Sequence, residues 1–196
     1  MKSIVFSLFF FLSFSILALP TAKIIKLKGS ASYNGKVLKL GDTLQGKGVL
    51  ETKKASFIKL EIKEWGNHIV LGPSSEMNLA LTSKEVQKKY EITKGICRWK
   101  SYLRKKQNKG VIFSKQASIG VRGTDYFLKV NPLLGETEIV VFEGQVLFSN
   151  LSDQKDAKLI NENQWGGLGG RFGGKISNIL TLPSNVIDHF KRYLNI

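Results

Sequence analysis

The chain has 196 residues, 42% of them hydrophobic and 23% charged, with a formal net charge of +15 and a pI of about 9.9. That composition suits one globular domain, or one domain plus a tail, and excludes disorder over the whole length. A single cysteine, Cys97, excludes an internal disulfide.

Lys2 is the only charge before Lys23, and residues 4–19 are almost wholly apolar. A short basic start, an apolar run and then small residues predict a secretory signal over residues 1–22, with cleavage after Ala18 or Ala22. The run is short for a hydrocarbon core of ~30 Å, and no lipid-acceptor cysteine follows it. No later run is apolar enough to span a bilayer. The expected location is periplasmic or otherwise extracytoplasmic. There the strong positive charge would meet anionic lipid head groups and acidic polysaccharide, and nucleic acid is not an expected partner.

After Lys23 short apolar runs alternate with Gly, Asn and Pro. Asn34-Gly35 lies between apolar residues and predicts a hairpin with a type I′ turn, because both residues accept positive φ. Leu40–Gly46 is a glycine-punctuated turn segment. From Ile58 to Lys63 the alternation is clean, with Ile58, Leu60 and Ile62 on one face and Lys59, Glu61 and Lys63 on the other. Trp65-Gly66-Asn67 turns the chain into His68–Leu71, Gly72–Ser75 turns it again, and Met77, Leu79 and Leu81 alternate next. Further strand-like runs cover Tyr126–Val130, Thr137–Phe142 and Gly144–Phe148, with Glu143-Gly144 read as the hairpin joining the last two. Strands at this spacing predict an all-β fold.

Ser83–Lys109 breaks the rhythm. Lys84, Lys88, Lys89, Lys94, Arg98, Lys100, Arg104, Lys105, Lys106 and Lys109 face only Glu85 and Glu91, with Trp99 and Tyr102 among them. Two readings stand: a solvated basic loop, or a polyanion-binding surface on which Trp99 and Tyr102 supply stacking area. The stretch 165–174 is glycine-rich and is expected to be flexible or tightly turned. Beyond it Val186, Ile187, Phe190, Tyr193 and Leu194 recur at helical spacing, predicting a short amphipathic helix with Ser184 as N-cap; it could bind a partner, lie on a membrane surface or, as is commonest for so short an element, pack on the β core. The organisation read this way is a signal over 1–22, a β domain over 23–160 and a tail with its helix over 161–196.

Chemistry finds little support. His68 and His189 are the only histidines, without metal-ligand spacing, so no metal site or cofactor is expected. Asp42 and Asp125 follow glycine-containing turns, where a carboxylate caps local N–H groups. Glu61 and Glu64 stand among lysines as surface charge rather than as an acid pair for glycoside cleavage. Cys97, in a strand, reads as a small buried hydrophobe. The chain is not expected to be an enzyme.

The run Ala117-Ser118-Ile119-Gly120-Val121-Arg122-Gly123-Thr124-Asp125-Tyr126-Phe127, followed by Thr137–Val146 with its Glu143-Gly144-Gln145-Val146 ending, resembles the hallmark of the FecR-like family. Leu40-Gly41-Asp42-Thr43-Leu44, then Thr52 with Ser56, then Leu71-Gly72-Pro73-Ser74-Ser75, resemble its earlier segments in the family's order. The resemblance covers residues 26–150. It implies an all-β domain of stacked short strands, β-solenoid-like, with a β-sandwich or barrel as the alternative. It also implies an envelope protein as partner. Regulators of that family place a sigma-controlling segment before their membrane span. Here only Met1–Ser3 precede the apolar run, so that activity is not carried over. Gly120, Val121, Arg122, Gly123, Thr124, Tyr126, Glu143, Gly144 and Val146 are the motif residues. They read as scaffold, with Gly120 and Gly123 at a sharp turn and Thr124 bonding back to it.

Overall fold

The computed structural model describes residues 19–82, 89–101, 110–121 and 124–194. Among them the strands are β1 (Ala22–Lys28), β2 (Ala31–Tyr33), β3 (Lys36–Val37), β4 (Thr43–Leu44), β5 (Gly46–Thr52), β6 (Phe57–Ile62), β7 (Asn67–Leu71), β8 (Glu76–Leu81) and β9 (Tyr90–Ser101). They continue as β10 (Gly110–Phe113), β11 (Ala117–Val121), β12 (Asp125–Asn131), β13 (Glu136–Glu143), β14 (Gln145–Asn150), β15 (Ala157–Asn161), β16 (Gln164–Leu168) and β17 (Leu180–Thr181). One helix of any length follows, α1 (Ser184–Tyr193).

Pairing sorts the strands into two open sheets. Sheet A runs β4-β1-β6-β7-β9-β12-β13-β16-β17. Sheet B runs β3-β2-β5-β8-β9-β10-β11-β14-β15. Strand β9 serves both, with Tyr90–Lys94 in sheet B and the segment from Gly95 in sheet A. All pairs are antiparallel except β9 with β10. The expected all-β stack of short strands is therefore realised, open rather than closed into a barrel.

Period-two alternation explains the core. Ile58, Leu60 and Ile62 of β6 are fully buried, while Lys59 and Glu61 point away from them. The same phase turns Ile69 and Leu71, Cys97 and Trp99, and Tyr126 and Leu128 inward from sheet A. Sheet B answers with Leu50, Met77, Tyr90, Ile92, Ile119, Val146 and Phe148. Each fully buried large aliphatic side chain contributes about 1.5–3 kcal/mol of transfer free energy, so this two-sided layer dominates stability.

The corners have local causes. Asn34 and Gly35, at φ 50° and 79°, form the predicted hairpin between β2 and β3. At the sheet change inside β9, Gly95 adopts φ +91° with Ser75 packed where a Cβ would sit, and Ser75 Oγ accepts the Ile96 N–H at 2.9 Å. Ser56 Oγ likewise accepts the Ser30 N–H at 2.9 Å where the chain passes from β1 to β2. Glu143-Gly144 is not a hairpin. Strand β13 pairs with β12 and β16, and β14 with β11 and β15, so Gly144 (φ 80°) is a corner at which the chain changes sheet.

The glycine-rich stretch expected as tail supplies β16, on the far side of β13 from β12. Its glycines allow close approach, since a Cβ on Gly167 would press the Phe172 ring at 2.8 Å. Helix α1 then lies on the outer face of sheet A. Ile187 and Leu194 are buried against Val70, Phe127, Val140 and Phe142, and the Phe190 and Phe127 rings sit 5.1 Å apart. The predicted packing of the helix is thus observed, but its N-cap is Pro183 rather than Ser184. The Pro183 carbonyl accepts the Val186 and Ile187 N–H groups. Among the described residues no helix is long and apolar enough to cross a membrane.

Candidate functional site

The outer face of sheet A carries a charged concavity beside the end of α1. Register places two cross-strand rows there. One reads Lys26, Lys59, Val70, Arg98, Phe127, and the next Lys23, Glu61, His68, Lys100, Asp125. Each charged residue alternates with an inward aliphatic or aromatic one, so burying the core obliges these charges to share one surface. Lys59, His68, Val70, Arg98, Lys100 and Leu194 line a cavity of about 180 Å³.

Arg98 is its fixed element. Nε and Nη2 donate to Asp125 Oδ1 and Oδ2 at 2.9 and 2.8 Å, a bidentate pair, and Nη1 donates to the Lys191 carbonyl at 3.0 Å. The guanidinium carbon sits 5.2 Å from the centre of the Phe142 ring. Asp125 is 5% exposed and also receives Lys100 Nζ at 3.4 Å. It is therefore an ion-pair partner reaching across to β9 and not the local turn cap expected. Asp42 does cap, accepting the Lys39 N–H at 2.8 Å. His68 Nε2 lies 3.5 Å from Glu61 Oε1. The Lys59 ammonium is pushed below its ordinary range, first by desolvation and then by Lys26, Arg98 and Lys100, with Asp125 opposing.

The basic segment is only partly drawn together. Lys84, Lys88, Tyr102, Arg104, Lys105 and Lys106 lie outside the described residues. Lys89 sits over the Trp65 ring at 5.0 Å. Arg98 and Lys100 belong to the concavity. Trp99 overturns the stacking expectation: it is fully buried between the sheets, edge-on to Tyr90 at 4.7 Å. The signal lay in the sequence, because a residue between Arg98 and Lys100 on one strand must face the other way.

The described family-like residues are spread over β11, the start of β12 and the corner between β13 and β14. Gly120 lies within β11 with φ outside the left-handed region, and a Cβ there would only touch Leu147 at 3.8 Å, so no sharp turn occurs at it. Arg122 and Gly123 lie outside the described residues, as does the side chain of Val121. Thr124 is buried and its carbonyl accepts the Ser101 N–H at 2.9 Å, while its hydroxyl has no partner among the described residues. Tyr126 and Val146 are core, and Glu143 and Gly144 are exposed at the corner. Thr52 Oγ1 accepts the Ser75 N–H at 3.0 Å, tying two family-like segments together.

Cys97 is fully buried and its thiol is pushed up to about 12 by burial. Glu61 and Glu64 serve separate partners, since Glu64 accepts from the Thr21 hydroxyl and Glu61 faces His68 and Lys63. His189 is exposed on α1. Among the described residues no group of three or more His, Cys, Asp or Glu is placed to hold a metal ion.

Two face-to-face open sheets sharing one strand, with a charged concavity on an outer face, define a β-rich two-sheet domain. The chain belongs to the FecR protein family, whose model matches residues 48–147. Its fold is similar to that of a candidate anti-sigma factor from Parabacteroides distasonis solved at 2.50 Å resolution. That match has a TM-score of 0.61 and 12% identity over 74% of this chain and 64% of the other. A crystal structure under the same description at 1.65 Å gives a TM-score of 0.59 and 12% identity over 72% and 63%. The chain thus spans just under two thirds of those proteins. No curated protein matches.

Proposed function

We propose that this chain acts outside the cytoplasm as a non-catalytic FecR-domain module that engages an envelope protein within a sensing or regulatory system. The observation carrying this reading is the family match over residues 48–147, which reaches from β5 to β14 and so takes in both sheets. The apolar run at residues 4–19 supports export. Strand β15 pairs on one side only among the described residues, and Leu147 and Leu159 lie in register beside that edge, 47% and 49% exposed. Paired exposed leucines next to an open edge are surface of the kind protein partners cover.

Photo-cross-linking in living cells from a reactive amino acid at Leu159 tests the reading. A discrete adduct with one envelope protein is the expected result. Adducts with cytoplasmic proteins only, or none, would refute it. A second reading, binding of anionic lipopolysaccharide or cell-wall polymer through residues 84–109, draws on the net charge of +15. With Trp99 buried it relies on charge and Tyr102. It requires retention on isolated sacculi or lipopolysaccharide that is lost at ~0.5 M salt and when Arg104, Lys105 and Lys106 become Ser.

A further inference from the structure

We propose that the concavity on the outer face of sheet A is a binding site for a phosphate-class dianion, with Lys59, His68 and Lys100 as donors and Arg98 as a fixed charge behind them. The argument starts from charge placement. Lys23, Lys26, Lys59, Arg98 and Lys100 stand in two rows on one face, and the carboxylates in the same two rows are Glu61 and Asp125. Five cations against two carboxylates leave an excess of three positive charges, which a doubly charged anion offsets further than a single carboxylate does.

Donor geometry narrows the class further. Three of Arg98's five N–H groups are engaged by Asp125 and the Lys191 carbonyl, which fixes the guanidinium in place behind the cavity. The groups aimed into the cavity come from three neighbouring strands, Lys59 from β6, His68 from β7 and Lys100 from β9. Donors converging from separate strands suit an oxyanion with several acceptor oxygens. At about 180 Å³ the cavity is smaller than drug-sized pockets, which begin near ~300 Å³, and it holds a phosphate group without a large organic body. The Lys59 ammonium is destabilised by burial and by its cationic neighbours, and a bound dianion would relieve that cost. Leu194 and Val70 are the apolar residues of the cavity lining. The site differs from the 84–109 surface, sharing with it only Arg98 and Lys100.

Free phosphate and the phosphomonoester head of a lipid share this chemistry, and two arms of one experiment separate them. Inorganic phosphate is titrated into the purified protein by calorimetry, and vesicles with and without phosphatidic acid are tested by flotation. The variants are Lys59→Met, Lys100→Met and the pair together, which keep the aliphatic stems and remove the charge. Lys53→Met with Lys155→Met is the control, and circular dichroism confirms folding. Phosphate binding weakened at least about tenfold in the double variant, with the control unchanged, is expected. Flotation that depends on phosphatidic acid and on the same two lysines would name the lipid as source, and phosphate binding without flotation the free anion. If neither probe shows binding that depends on Lys59 and Lys100, the site is refuted.

Discussion

Replacing Arg98 with Met probes the element that joins β9, β12 and α1. The change leaves Asp125, 5% exposed, with Lys100 at 3.4 Å as its remaining partner, and removes the donor to the Lys191 carbonyl. Breaking a buried ion pair from one side costs about 3–5 kcal/mol. Here Arg98 is 16% exposed and Lys100 remains, which places the pair at the lower end, ~3 kcal/mol. The charged hydrogen bond to α1 adds ~1 kcal/mol, giving about 4 kcal/mol against a total stability of ~5–15 kcal/mol. For a chain of this size that is a fall in Tm of ~8–16 °C. Urea unfolding monitored by tryptophan fluorescence measures it. Replacing both partners, Arg98→Met with Asp125→Leu, should recover much of the loss, because no uncompensated charge stays buried. Lys63→Ala, at a side chain 76% exposed with its ammonium 4.0 Å from Glu61, should cost less than ~1 kcal/mol. An Arg98→Met loss no larger than that of Lys63→Ala would refute the reasoning.

Gly95→Ala should destabilise by ~3 kcal/mol in the same assay, since the left-handed backbone alone costs ~1–2 kcal/mol and the new methyl overlaps Ser75. Leu194→Ala should cost ~2 kcal/mol and raise hydrogen exchange across α1 while leaving β6, β7 and β9 protected. Cys97 should resist a thiol reagent at pH 8 and react only at the rate of unfolding, because burial holds the thiol neutral. The folded thiol ionises near 12 and the unfolded one near ~8.5, so its contribution to stability is full below pH ~8.5 and declines as pH rises toward 12.

Much of the fold was legible because burial imposes a period of two. Ile58, Leu60 and Ile62 announced their strand, Asn34-Gly35 its turn, and the spacing of Val186, Ile187, Phe190 and Leu194 its helix. Pairing was less legible. Glu143-Gly144 between two apolar runs looks the same whether the strands pair with each other or part into different sheets, and only the neighbours β11, β12, β15 and β16 decide. The site was hidden for a similar reason. Arg98 and Asp125 are 27 residues apart, and Lys59 joins the row of Arg98 through Val70 and register, which no local pattern encodes. His68 shows no chemical partner along the sequence because its neighbours come from other strands.

The N-terminal residue of the native protein, read from chain recovered from the cell envelope, tests the extracytoplasmic assignment most directly. Ala22 is fully buried as the first residue of β1, paired with Leu44, and the Thr21 hydroxyl donates to Glu64 at 3.4 Å. Cleavage after Ala18 preserves these contacts and cleavage after Ala22 removes them, so Leu19 is the expected first residue. A chain that begins at Met1 and fractionates with soluble cytoplasmic protein would contradict export, and with it the proposed role.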